Sequence, residues 1–295
     1  MIEYPIFVES GGDHLATVVT VPEAPPRTLA VLLPGGGSPR SHKFRLWTRT
    51  ARRLADLDVA SVRVDYPGLG QSTGAFTSDM RHLPTTQIRS IVDTVSGALD
   101  ISTFTVVGNC LGARTGLAMA AKAEACIGVA CVLPRALTAV VVEVGVFDQG
   151  PTMARSIRLR SARRVPWIGK AYRRIARTHG QPLKLRFIPE LDAAVRAVPV
   201  MFLYLGTDAE RERLDRHLVG AGLLGPRSSG GLTLHGIPTG SRLGGFSLPL
   251  EVQEPVVDAL VRWISGIPPI SKGDRRAERK SEPEEHGTDP SALQA

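Results

Sequence analysis

The chain is 295 residues long and 43% hydrophobic, enough for one large α/β domain with a full core. Its net charge of +8 is unevenly spread: residues 151–187 hold eleven Lys or Arg and no Asp or Glu, and the remainder is slightly acidic. This excludes the uniformly basic surface of a nucleic-acid binder and points to one local contact with an anionic group.

In chain order, residues 6–8 and 15–21 read as two strands around the turn Gly11-Gly12-Asp13. A strand at 28–33 ends in Pro34-Gly35-Gly36-Gly37, where three glycines leave backbone N–H groups bare. Helical spacing covers 47–57. A strand at 60–64 then runs into Asp65-Tyr66-Pro67-Gly68-Leu69-Gly70-Gln71-Ser72. A helix over 87–99 delivers the chain to an apolar β-branched run at 104–107, and good helix formers fill 113–125. Buried strands are expected at 127–133, 200–205 and 232–237, with a strongly amphipathic last helix over 251–264. Strands alternating with helices indicate a mainly parallel sheet covered on both faces. The stretch between 133 and 200 is too long for a simple crossover, so a helical insertion is expected at about 140–195. Residues 266–295 are rich in Pro, Ser and mixed charge and nearly devoid of large apolar side chains, which predicts a disordered tail after a domain spanning 1–265.

Between the run at 104–107 and the following helix stands Gly108-Asn109-Cys110-Leu111-Gly112, a G-x-C-x-G turn. A sharp strand-to-helix turn strains its central residue, and glycines two before and two after avoid collisions. The thiol is thereby presented at the head of a helix, where N–H groups and the helix dipole favour negative charge. The turn resembles the nucleophile elbow of the α/β-hydrolase superfamily, with Cys where Ser is usual. The D-x-P-G-x-G-x-S run is similar to the loop after the fourth strand in many members, and the glycines after residue 33 to the oxyanion loop. With Asp208, two residues past Gly206 at a strand end, these matches stand in the family's order over residues 1 to about 265.

The resemblance implies an α/β-hydrolase fold whose insertion is a lid, in a thioesterase-like or acyltransferase-like member. It implies Cys110 as nucleophile, Gly36 and Leu111 as oxyanion donors, and Asp208 as the acid that orients a base. Gly37 and His42, beside the oxyanion glycines, and Arg164, in the basic insertion, are expected to meet substrate.

The sequence departs from the family in a second respect. The family's catalytic histidine lies in the loop after the last strand, and residues 238–249 contain no His. His235, inside the expected strand, is the first candidate for a base; His42 and His82 come after it. A Ser hydroxyl is inert at neutral pH without a base, whereas a Cys is partly thiolate already. Losing the histidine also removes the group that activates water. The expected function is therefore acyl transfer or cyclisation of an acyl (thio)ester through Cys110, rather than plain hydrolysis. The alternatives are a non-covalent isomerase or cyclase using the same cleft, with Asp208 or a His moving protons, and a binding protein without catalysis.

The expected partner is a small acyl substrate carried on coenzyme A or a carrier protein, met by the basic insertion. No nucleic acid, membrane, metal or other cofactor is expected. The three cysteines have no metal-type spacing, and Cys126 and Cys131 lie in apolar sequence as core thiols. No leader-like or membrane-length apolar run is visible, and a reducing, cytoplasmic setting is expected.

Overall fold

The structure, a computed structural model, describes residues 1–77, 82–133, 189–206, 208–220, 222–225, 231–238 and 250–268. Its strands are β1 (Ile2–Ser10), β2 (Asp13–Val21), β3 (Thr28–Leu33), β4 (Val59–Val64), β5 (Phe104–Asn109), β6 (Cys126–Leu133), β7 (Val200–Gly206) and β8 (Leu232–Pro238). They form one sheet in the order β1-β2-β4-β3-β5-β6-β7-β8. β1 and β2 pair antiparallel, as do β2 and β4, and every other neighbouring pair is parallel.

The inner strands are continuous apolar runs because both faces are covered. Leu29, Val31 and Leu33 of β3 face one layer, while Ala30 and Leu32 face the other. The first layer holds α2 (Thr85–Ala98), α3 (Leu111–Ala120), α4 (Pro189–Ala197) and α5 (Asp208–Gly220). The second holds α1 (Leu46–Ala55) and α6 (Leu250–Gly266), whose Trp47, Leu54, Val256 and Leu260 are fully buried. Each such large apolar side chain contributes roughly 1.5–3 kcal/mol by leaving water.

Three expectations shift. β1 starts at Ile2 and pairs with β2 along its whole length, because an edge strand packs on one side only and leaves Ile2, Tyr4 and Phe7 exposed. α3 begins directly after Cys110 and ends at Ala120. The expected insertion reached to about residue 195, yet α4 belongs to the domain: Leu191, Ala194 and Val195 are buried in the core. The rest of that insertion, and the tail from 269 on, lie outside the described residues.

Candidate active site

At the centre of the sheet β5 passes straight into α3 through Cys110, whose backbone sits at φ 53° and ψ −112°. That conformation is costly for a residue with a Cβ, roughly 1–3 kcal/mol, and persists only where packing enforces it. Packing does so here. A Cβ on Gly108 would collide with the Gly112 carbonyl carbon, and one on Gly112 with the Leu33 carbonyl oxygen. The glycine spacing of the motif thus has a steric cause at both ends. Cys110 is half-buried and free, whereas Cys126 and Cys131 are buried. Burial pushes the Cys126 thiol up to about 12, and that of Cys131 higher still.

The glycine loop after β3 lies against this turn. A Cβ on Gly35 would stand 3.4 Å from that of Cys110, and one on Gly36 would stand 3.7 Å from Leu111 Cδ2. The structure therefore brings Gly36 and Leu111, the two expected oxyanion donors, side by side at the elbow. Gly37 is exposed at φ 77° with open space around it. Tyr66 lies beneath, fully buried, and its hydroxyl donates to the Pro34 carbonyl at 3.0 Å. Burial, and then the neighbouring Cys110 sulphur, push this phenol far up, so it remains a donor.

The loop after β4 works as a lock. Asp65 is buried, and its carboxylate accepts the Arg40 N–H at 2.8 Å and the Gln71 N–H at 3.2 Å, besides pairing with the Arg40 guanidinium. Gly70 packs so tightly on this carboxylate that no Cβ fits. The Ser72 hydroxyl donates to the Asp65 carbonyl at 2.8 Å and accepts the Ala16 N–H at 2.9 Å. Gly68, at φ 69°, leaves no room for a Cβ beneath the Phe76 N–H. So fixed, the loop carries Phe76 over Gly36: the Phe76 ring edge would lie 3.4 Å from a Cβ placed there. Phe76 went unnoticed in the sequence because it falls outside the motif that positions it.

His42 was expected to meet substrate, but it is buried behind the elbow, 4% exposed. Its Nε2 lies 3.0 Å from the Asn109 amide nitrogen, and its ring packs on Trp47 at 5.3 Å. Burial lowers its pKa to about 4, so it stands as neutral imidazole. With Nε2 accepting from Asn109, the ring proton sits on Nδ1, which is buried without a partner. His42 therefore positions the residue before Cys110.

His235 lies within β8 opposite Leu203, which continues through Val132 to Asn109 across the sheet. At about 4.8 Å per strand, those three steps put it roughly 14 Å from the elbow strand. The structure does not bring it to Cys110. Asp208 is the first residue of α5, two positions past the end of β7. Arg164 and the loop 239–249 lie outside the described residues.

Beside the elbow opens a cleft of about 570 Å³, lined by Leu111, Tyr66, Phe76, Leu83, Lys122 and Glu190 among others. Glu190 of α4, which lines it, is approached by Arg114 of α3, Nη2 to Oε1 at 4.0 Å. Arg114 Nε and Glu190 Oε2 are buried without partners, so this pair is incompletely satisfied. Among the described residues no group of three His, Cys, Asp or Glu is placed to hold a metal, and no helix is long and apolar enough to cross a membrane.

The model of the alpha/beta hydrolase family matches residues 30–245. The chain belongs to that family. A search of curated proteins found no match. Among solved structures, this alpha/beta hydrolase is similar to an alpha-beta serine hydrolase homologue from Coxiella burnetii, at 12% identity and TM-score 0.55, covering 88% of this chain and 97% of that one. It is similar to Est1E from Butyrivibrio proteoclasticus with ferulic acid bound, at 15% identity and TM-score 0.55, covering 89% and 98%. It is also similar to the haloalkane dehalogenase DatA from Agrobacterium tumefaciens, at 20% identity and TM-score 0.51, covering 90% and 97%. At such identities the likeness concerns the fold, and the chemistry must be argued from this chain's own residues.

Proposed function

We propose that this alpha/beta hydrolase acts on an acyl ester or thioester, forming an acyl-enzyme on Cys110 and passing the acyl group to an acceptor other than water. The observation that carries the reading is Cys110 itself: a free, half-buried thiol held at φ 53° on the elbow, beside Gly36 and Leu111. In the first step the Cys110 sulphur attacks the acyl carbonyl. The Gly36 and Leu111 N–H groups hold the developing oxyanion. The tetrahedral adduct expels the thiolate or alkoxide of the donor and leaves a thioester on Cys110. In the second step a hydroxyl, amine or thiol of the acceptor attacks that thioester, loses its proton to the medium, and releases the Cys110 thiolate.

Transfer is favoured over hydrolysis because water needs a base. Of the three candidate histidines, His42 is neutral, buried and turned to Asn109, His235 lies three strand steps away, and His82 alone lines the cleft. In this reading Asp208 orients whatever group does assist. The eleven cations of residues 151–187, Arg164 among them, suit a donor carried on coenzyme A or an acidic carrier protein. Three free cysteines suit a reducing, cytoplasmic setting.

The test is intact-protein mass spectrometry after mixing with an acyl-coenzyme A or an activated aryl ester. The expected result is one acyl adduct, mapped to the Cys110 peptide, that persists in water and is discharged by added thiol or amine. Full turnover by Cys110→Ala with no adduct on the native protein would replace this reading with the non-covalent one.

A further inference from the structure

A second cleft, of about 600 Å³, borders the Asp65 loop and shares no lining residue with the first. Arg40, Arg45, Arg52 and Arg63 line it, against two carboxylates, Glu3 and Asp65. Both carboxylates are already engaged. Glu3 accepts Arg63 Nη2 at 3.0 Å and Arg52 Nε at 3.3 Å, and Asp65 is taken by Arg40 and Gln71. Four guanidiniums against two carboxylates leave a double positive charge in one cleft. Arg45 pairs with no carboxylate among the described residues.

The innermost cation is unusual. Arg63 is a β4 residue, 5% exposed, whose Nη1 donates to the Thr48 hydroxyl at 2.5 Å. Its Nε is buried and has no partner. A buried guanidinium with an open N–H and three cationic neighbours is costly unless an anion completes it. The segment that presents Arg45 is strained as well: His42, Phe44 and Arg45 stand at φ 60°, 52° and 61°. Strain of this kind is held at sites where a side chain must be aimed.

We infer that this cleft binds a compact phosphate group, held by the guanidinium of Arg45 with Arg52 at the rim, over the buried positive charge of Arg63. Planar guanidinium forks match the oxygen spacing of phosphate, and a doubly negative group cancels the excess charge. The same chemistry is offered by free inorganic phosphate and by the phosphate end of a small organic ester, for which the cleft has room. This site is separate from Cys110, so its occupation does not depend on acyl chemistry.

The experiment is thermal unfolding and calorimetric titration of the full chain with inorganic phosphate and, separately, with phenyl phosphate. Sodium chloride at equal ionic strength is the reference. The expected result is a saturable rise in melting temperature with one or both phosphates and none with chloride. Tighter binding of phenyl phosphate would assign the site to organic esters, and equal binding to free phosphate. Loss of one charge-assisted contact should weaken binding about tenfold or more in Arg45→Ala, and further in Arg45→Glu. Arg45 is exposed, so these variants retain the fold even if Arg63→Met does not. Arg89→Ala, on α2, and Cys110→Ala should bind as the native protein does. No phosphate effect beyond that of chloride, or undiminished binding by Arg45→Glu, would overturn the assignment.

Discussion

The Nε2 atom of His42 lies 3.0 Å from the Asn109 amide nitrogen and ties the loop after β3 to the residue that precedes Cys110. This contact makes a buried, neutral imidazole part of the scaffold of the elbow.

It also fixes a pH dependence. Burial holds the folded pKa of His42 near 4, below its ordinary 6.5. The unfolded chain therefore binds a proton between those values and the folded one does not. Stability is full above pH 6.5 and falls as the pH drops toward 4. From pH 7 to 5 the loss from this group is about 2 kcal/mol. Urea unfolding at both pH values measures it, and His42→Gln, which cannot titrate, should lose that share of the slope. An unchanged slope in His42→Gln would remove His42 as the cause.

Thiol labelling follows from exposure. Cys110 is half-buried, while Cys126 and Cys131 are 2% and 0% exposed. Iodoacetamide should modify the native protein once, on Cys110, and should modify Cys110→Ala only after denaturation. Early labelling of either β6 cysteine would contradict the described packing.

The glycines of the elbow and of the loop after β3 should respond differently. Gly108→Ala and Gly112→Ala each drive a methyl group into backbone, so a loss of about 3 kcal/mol or more is expected. Gly37→Ala meets no atom, and only its φ of 77° opposes the change, a cost of about 1 kcal/mol. Melting temperatures of the three variants rank them directly; a Gly37→Ala variant as unstable as Gly108→Ala would refute the steric account.

Asp65 anchors the loop that carries Phe76. Asp65→Ala leaves Arg40 without its carboxylate and frees two N–H groups, for an expected loss of about 3–5 kcal/mol. Limited proteolysis of this variant should open the chain between residues 66 and 77, where the native protein resists. Native-like resistance together with native stability would deny the lock.

Local physics made much of this protein legible in its sequence. The elbow was readable because the strain at Cys110 and the clearance of Gly108 against Gly112 arise within five consecutive residues. The inner strands were readable because a parallel strand buried on both faces must be apolar throughout, as β3 and β5 are. β1 was only partly readable: its exposed Ile2, Tyr4 and Phe7 do not repeat with the period of a buried face.

The tertiary structure alone decided which polar groups meet. His42 and Asn109 are 67 residues apart in sequence, and Arg63 and Glu3 are 60 apart. His42 looked like a residue of the pocket rim, because proximity in sequence to Gly35, Gly36 and Gly37 says nothing about which way a strained φ of 60° turns the side chain. The arginine cleft had no signature at all, since β1, α1 and β4 each contribute isolated charges that periodicity assigns to solvent. Hydrophobic burial follows a repeat along the chain, but a hydrogen bond or ion pair needs one partner at one distance, and only the folded sheet sets that distance.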